Sequence, residues 1–317
     1  MVKTEILGTD ATALTRAADL LRAGSLVAMP TETVYGLAGD AGSDAAVAAI
    51  YAAKGRPSFN PLIAHVADME MAQRLADFPP EALALARAFW PGPLTLVLPL
   101  CAGAAVAPRV TAGLPTLAIR MPAHPAARAL LREFGGPLAA PSANPSGRIS
   151  PTEPAHVIDG LGGRIAAVID GGPCDVGVES TILSVAPDGA LRLLRPGGIG
   201  AEKILEHTGL TLPAPEAQAE KIEAPGQMLS HYAPRGQVRL NVTDPRPDEV
   251  LLAFGPSDSR YSLSQTGDLA EAAANLFRRL HEMDRDGIER IAVAPVPETG
   301  IGRAINDRLR RAAAPRD

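Results

Sequence analysis

Over its first two hundred residues the chain alternates stretches of helically spaced apolar positions with short apolar runs of strand length. Residues 12–23 predict an amphipathic helix closed by Gly24, followed by a short buried strand at Ser25–Met29 and a loop starting at Pro30. Further helices are predicted over Asp44–Ala53, Met69–Leu75, Glu81–Phe89, Pro125–Glu133 and Pro154–Leu161. Strands are predicted over Pro61–Val66, Leu94–Pro99, Thr116–Arg120, Leu138–Ala140, Ala167–Asp170, Ser180–Val185 and Leu191–Arg195. This interleaving predicts a mixed α/β unit of about 200 residues. From Thr211 to Gly236 the period lapses into a proline-rich stretch with the character of an interdomain linker. Beyond it, strands at Val238–Val242, Glu249–Phe254, Arg260–Leu263 and Arg290–Pro295 alternate with helices at Leu269–Met283 and Thr299–Ala313, predicting a smaller α/β unit with a parallel sheet wrapped by helices. The expected division is 1–205, a linker or lid at 206–236, and 237–317.

Composition narrows the function classes. With 46% hydrophobic and 21% charged residues the chain has material for real cores and too little charge for disorder. Gly and Pro supply 30 residues each, which implies many tight turns and backbone-lined surfaces. Six Phe, four Tyr and one Trp are too few for a nucleic-acid binder built on stacking platforms. The formal charge of −5 argues against a broad basic face, though not against a local basic pocket. Cys101 and Cys174 form no framework and no CxxC, which suits a reducing, cytoplasmic setting. Met1–Asp10 has no apolar leader core, and no apolar run is long enough for a membrane span, so no membrane partner is expected. Only four of the 30 basic residues are lysines, which makes Lys54, inside a dense motif, mildly informative.

Common catalytic motifs are absent. No lysine follows a glycine, so there is no P-loop; Gly198-Ile-Gly200 meets Lys203 where a dinucleotide fingerprint needs glycine; His281-Glu282 lacks the second histidine of a zinc hydrolase; and no G-x-S-x-G occurs. Four polar Gly/Pro segments stand at strand ends instead. They are Pro30–Leu37; Lys54-Gly55-Arg56-Pro57 with Asn60-Pro61-Leu62 and His65; Thr116–Pro122 leading to Pro141–Gly147; and Asp170–Pro173 running through Glu179-Ser180-Thr181 to Arg195-Pro196-Gly197. In an α/β unit such loops converge on one sheet edge, where ligands bind. Lys54, Arg56, Arg120 and Arg195 can hold phosphate or carboxylate oxygens. Thr31, Thr33, Ser142, Ser146, Ser180, Asn60 and Asn144 can fix an amino acid or nucleotide through neutral hydrogen bonds. No Ser–His–Asp or Cys–His pairing is forced, so positioning and positive charge fit better than covalent catalysis. Plainer readings stand beside these. Lys54 and Arg56 also suit a solvated helix C-terminus, His65 a core histidine, Ser142 and Asn144 simple turn residues, and the two cysteines small inert hydrophobes.

Taken together, Pro30–Leu37, Lys54-Gly55-Arg56-Pro57 with Asn60-Pro61-Leu62, Trp90-Pro91-Gly92-Pro93-Leu94-Thr95, Pro141-Ser142-Ala143-Asn144 and Leu194-Arg195-Pro196-Gly197 closely resemble the YrdC-like threonylcarbamoyl-adenylate synthases. Pro225-Gly226-Gln227-Met228, His231-Tyr232-Ala233-Pro234 and Gly302–Leu309 resemble the long form with an extra C-terminal domain, so the resemblance covers essentially the whole chain. It implies a large mixed-sheet domain with a deep anion-binding cleft and a smaller Rossmann-like parallel α/β domain. It also implies condensation of L-threonine, bicarbonate and ATP, accompanied by Mg²⁺, into threonylcarbamoyl-AMP and pyrophosphate. The product would pass to a downstream tRNA threonylcarbamoyl transferase machinery. By the same resemblance, Thr33, His65, Arg120, Ala140 and Ser180 surround threonine, Arg120 pairing its carboxylate. Lys54, Arg56, Asn60, Thr116, Ser142, Asn144, Ser150 and Arg195 hold ATP, Lys54 and Arg56 in the catalytic role, and Tyr232 closes over the nucleotide. No protein-held metal is implied. Lys54 and Arg56 are expected as exposed pocket residues whose removal costs turnover and little stability. The competing reading is a protein that binds structured RNA such as tRNA without catalysis, with steeply salt-dependent affinity. The acidity and scarce aromatics make tRNA binding weak at most.

Overall fold

The computed structural model describes residues 3–212, 223–226 and 230–315. In chain order the larger unit comprises β1 (Glu5–Leu7), α1 (Ala11–Arg22), β2 (Val27–Met29), β3 (Gly36–Asp40), α2 (Asp44–Lys54), β4 (Ile63–His65), α3 (Met69–Leu75), α4 (Pro80–Phe89), β5 (Leu94–Pro99), α5 (Pro108–Thr111), β6 (Thr116–Arg120), α6 (Pro125–Phe134), β7 (Leu138–Ala139), α7 (Pro154–Leu161), β8 (Ala167–Ile169), β9 (Thr181–Val185), β10 (Leu191–Arg195) and α8 (Ala201–Thr208). Then follow β11 (Gln237–Arg239), β12 (Val250–Ala253), β13 (Tyr261–Ser262), α9 (Leu269–Arg285), β14 (Arg290–Val293) and α10 (Gly302–Ala313).

The first sheet has ten strands in the order β1-β8-β2-β3-β7-β4-β6-β5-β9-β10, with parallel and antiparallel pairings intermixed. The second has four, β11-β14-β12-β13, all parallel. A large mixed sheet beside a smaller parallel one is the expected fold class. Helix periodicity explains the packing: α1 buries Leu14, Ala17, Ala18 and Leu21 on one stripe, and its N-cap Asp10 accepts from the Ala13 amide. β1, α5, α8 and above all β3 were not expected. Gly36-Leu37-Ala38-Gly39-Asp40 has weak strand propensity and falls where a loop was predicted, but pairing with β2 on one side and β7 on the other fixes it as a strand.

The two units share an interface. Val34, Ile149 and Val178 of the first and Tyr232 of the connecting segment pack into the core built on α9 and α10. At Gly177 a Cβ would lie 2.4 Å from the Ala273 carbonyl oxygen, so only glycine allows this loop to seat on α9. Among the described residues no helix is long and apolar enough to cross a membrane.

Candidate active site

Local structure brings the motif residues together. Helix α2 stops at Gly55, whose φ of 60° suits a left-handed C-cap, and the turn directs Lys54 and Arg56 inward. Parallel pairing of β4 and β6 sets His65 beside Arg120. The Trp90–Thr95 motif then fixes Arg120: the Trp90 indole donates to the Leu94 carbonyl (2.8 Å), the Gly92 amide donates to the Met121 carbonyl (2.9 Å), and the Gly92 carbonyl accepts from Arg120 Nε (3.2 Å). Gly197 lies so close to Ser180 and Thr181 that a Cβ there would come within 2.3 Å of their backbone, which explains the glycine after Arg195-Pro196.

These segments enclose a cavity lined by Thr31, Thr33, Arg56, His65, Arg120, Ala140, Ser142, Glu179, Ser180 and Arg195, and roofed by Pro225, Gly226, His231 and Tyr232. Ile63 and His65, alternate residues of β4, both line it. The site therefore lies over a face of the sheet as well as at its loops, because the connecting segment covers that face. Its free volume is ≈ 40 Å³ with the roof in place. That is room for a few waters, and Pro225, Gly226, His231 and Tyr232 cover it.

Of the residues expected around threonine, all five (Thr33, His65, Arg120, Ala140 and Ser180) line the cavity; of those expected around ATP, Arg56, Ser142, Arg195 and Tyr232 do. Lys54, Asn60, Asn144 and Ser150 stand immediately behind its wall. Lys54 Nζ donates to the Ser142 and Asn144 carbonyls, Asn60 Oδ1 accepts from Arg56 Nη2 (2.6 Å), and Ser150 Oγ donates to Glu179 Oε1 (2.6 Å). Thr116 is set apart at the far end of β6, opposite Pro99, about 13 Å along the strand from Arg120.

Lys54 and Arg56 are not solvated. They are 3% and 8% exposed, which corrects the expectation of exposed pocket residues. Their partners, like those of Arg195, are neutral oxygens: carbonyls, the Asn60 amide and, for Arg195, the Ser180 hydroxyl. Burial, with Arg56 nearby, pulls Lys54 well below the ordinary lysine range, and burial lowers Arg56 to about 10 and also lowers Arg195. Burial and the adjacent Arg120 push His65 down to about 3, and burial does the same to His231, so both imidazoles are neutral at pH 7. Three buried basic groups whose hydrogen bonds, among the described residues, go to neutral oxygens form a site prepared for an anion.

Two acids at or beside the cavity, Glu32 and Glu179, escaped the sequence reading as site residues. Glu32 accepts from Arg120 Nη2 (2.6 Å) and the Ala123 amide (2.9 Å), while Arg120 Nη1 donates to Thr33 Oγ1 (2.9 Å). Glu179 lines the cavity and accepts from Ser150 and from Arg308 Nε (2.7 Å) of α10. A glutamate within a Thr-Glu-Thr or Glu-Ser-Thr motif was the available signal, but its arginine partners lie 88 and 129 residues away. Both carboxylates are engaged by arginine, and among the described residues no cluster of three His, Cys, Asp or Glu side chains could hold a metal. Cys101 and Cys174 are free thiols, half-buried and buried.

Comparison with known proteins agrees with the geometry. A family model spanning Sua5, YciO and YrdC proteins and described as "Telomere recombination" matches residues 19–197, and one described as "Threonylcarbamoyl-AMP synthase, C-terminal domain" matches residues 199–314. A Bacillus subtilis protein named threonylcarbamoyl-AMP synthase is 44% identical over 99% of this chain and 96% of its own length. The solved structure of Pyrococcus abyssi Sua5 complexed with L-threonine is 40% identical, covers 98% of both chains and superposes with a TM-score of 0.89. Escherichia coli YciO, 21% identical with a TM-score of 0.55, shares the fold over 62% of this chain and 96% of its own.

Proposed function

The chain belongs to the Sua5/YrdC family, and from that membership we propose that it is a threonylcarbamoyl-AMP synthase acting on L-threonine, bicarbonate and ATP. The observation that carries this reading is buried positive charge: Arg56 and Arg195, both held by neutral groups, line one roofed cavity, with Lys54 directly behind its wall. The threonine amine takes up the carbon of bicarbonate with loss of water. An oxygen of the resulting carbamate then attacks the α-phosphorus of ATP, and the bond to the bridging oxygen breaks to release pyrophosphate. Each partner is an anion, and a fixed cationic site offsets their repulsion while holding them in line.

In this assignment Arg120 receives the threonine carboxylate. Glu32 neutralises its charge and fixes its orientation, so its contribution is directional donors. Thr33, His65, Ala140 and Ser180 surround the remainder. Arg56, Ser142 and Arg195 face ATP, with Tyr232 over the nucleotide. Lys54, Asn60, Asn144 and Ser150 act by fixing that wall, and Thr116 has no role in it. The roof serves as a lid; Gln227 and Met228, part of the expected lid, lie outside the described residues. Mg²⁺ enters as part of the Mg·ATP substrate, coordinated by phosphates and water, since the cavity carboxylate Glu179 and the nearby Glu32 are both paired with arginine. The division at 1–205, 206–236 and 237–317 accords with the two sheets. Delivery of the adenylate to a tRNA-modifying transferase in the cytoplasm completes the proposal. An RNA-binding role without catalysis has nothing comparable in its favour. The test is pyrophosphate release by purified protein with ATP and bicarbonate. Release that requires L-threonine is expected, and equal release without it contradicts the assignment.

A further inference from the structure

We propose that Arg308, on the C-terminal helix α10, is a positioning residue for the nucleotide subsite: it engages the Glu179 carboxylate and so leaves Arg195 available to the triphosphate. The inference rests on the proposed ATP reading of the cavity. Glu179 is a cavity-lining acid, 6% exposed, beside the place where polyanions are to bind. An unneutralised carboxylate there would repel phosphate and compete for the cations that serve it. Its neighbour Ser180 already holds Arg195, through the carbonyl to Nε (3.2 Å) and Nη2 (3.0 Å) and through the hydroxyl to Nη2 (3.2 Å). Arg195 is thus the next cation in line for Glu179.

The structure gives Glu179 a different partner. Arg308, with a fully buried side chain, donates Nε to Oε2 (2.7 Å), while Ser150 Oγ donates to Oε1 (2.6 Å), so both carboxylate oxygens are held from the side. Asp307 in turn accepts from Arg308 Nη1 (2.6 Å) and aims the guanidinium. The same guanidinium lies 5.3 Å from the ring centre of Tyr232, the roof residue, whose backbone adopts φ 64° and whose ring also packs on Phe277 of α9. One C-terminal side chain therefore ties the wall acid and the lid together. Arg120, expected at threonine, belongs to a separate ion pair with Glu32. Loss of Arg308 should accordingly weaken ATP and spare threonine.

The experiment uses the full-length protein with Arg308→Gln, Glu179→Gln and the double variant. ATP affinity is measured by calorimetry, and threonine-dependent pyrophosphate release is measured against ATP and against threonine. Removing one partner of a buried charge pair predicts ATP Kd and KM about 10-fold or more higher in R308Q, with the threonine KM within about 2-fold. In the double variant, which has no carboxylate left to neutralise, ATP binding returns to within about 3-fold of E179Q alone. Equal rises in both KM values, or a fall in kcat alone, would show that Arg308 only holds the two units together and would overturn the proposal. So would a double variant as weak as R308Q, which would place Nη2, without a hydrogen-bond partner among the described residues, on the nucleotide itself. If R308Q does not fold, the double variant decides by its ATP affinity against E179Q. A wild-type protein that binds ATP but releases no pyrophosphate would defeat the synthase reading, while the calorimetry would still judge Arg308.

Discussion

Arg120→Met removes the guanidinium at the centre of the threonine side of the cavity, and the structure sets both its structural and its functional cost. Arg120 and Glu32 have side chains only 5% and 9% exposed and are joined at 2.6 Å. Breaking such a pair from one side leaves a buried carboxylate uncompensated, at about 3–5 kcal/mol. Here Glu32 keeps backbone amides, that of Ala123 among them, and Thr33 Oγ1 and the Gly92 carbonyl lose the Arg120 donor. In a folding unit of about 200 residues that corresponds to a thermal transition lowered by about 6–20 °C. Glu32→Gln combined with Arg120→Met removes both charges, so the double variant should be at least 2 kcal/mol or so more stable than the sum of the single losses predicts. On the functional side, a lost charge-assisted hydrogen bond to the threonine carboxylate is worth about 1.5–3 kcal/mol, or roughly 10- to 150-fold in threonine KM. Calorimetric melting of the three variants and pyrophosphate release against threonine concentration measure the two quantities. Strictly additive stabilities, or a folded R120M with unchanged threonine KM, would refute the reasoning.

Three further outcomes follow from the same geometry. Lys54→Ala should lower both stability and ATP affinity, because each of the Ser142 and Asn144 carbonyls left buried without its donor costs about 1–3 kcal/mol; an unchanged melting temperature with lost turnover would support an exposed lysine instead. Gly226→Ala should raise the ATP KM with little change in the threonine KM, since Gly226 has φ 85° and a Cβ there would lie 2.8 Å from the Tyr232 hydroxyl; unaltered kinetics would remove the roof from the mechanism. Burial alone raises the Glu179 carboxyl, but Arg308, Arg195 and the Ser150 hydrogen bond outweigh it and hold it at about 2. A depressed folded-state value stabilises above the ordinary carboxyl range, so about 3 kcal/mol should be lost as the pH falls from about 4.5 toward 2. Urea titrations across that range should show a shallower acid limb in Glu179→Gln, and an identical limb would contradict the ion pair.

Periodicity revealed most of the scaffold because most elements bury one stripe or one face, as α1 does with Leu14, Ala17, Ala18 and Leu21. It failed at β3, where a glycine-rich segment becomes a strand only because strands on both sides supply its hydrogen bonds. The residues of the site were legible as motifs, since dense Gly, Pro and cation clusters have few purely structural uses. Their burial and partners were not. Nothing local in Lys54-Gly55-Arg56 shows that both cations turn inward, and nothing near Glu32 or Glu179 points to Arg120 and Arg308, which the topology delivers from other strands and from the second unit.

The most direct test is mass spectrometry of the nucleotide products after incubation of the full-length protein with L-threonine, ATP and ¹³C-bicarbonate. The synthase assignment predicts a threonine-containing adenylate that carries the label in its carbamoyl carbon and disappears when threonine is omitted. AMP or ADP alone, or an unlabelled adenylate formed directly on the threonine carboxylate, would contradict it.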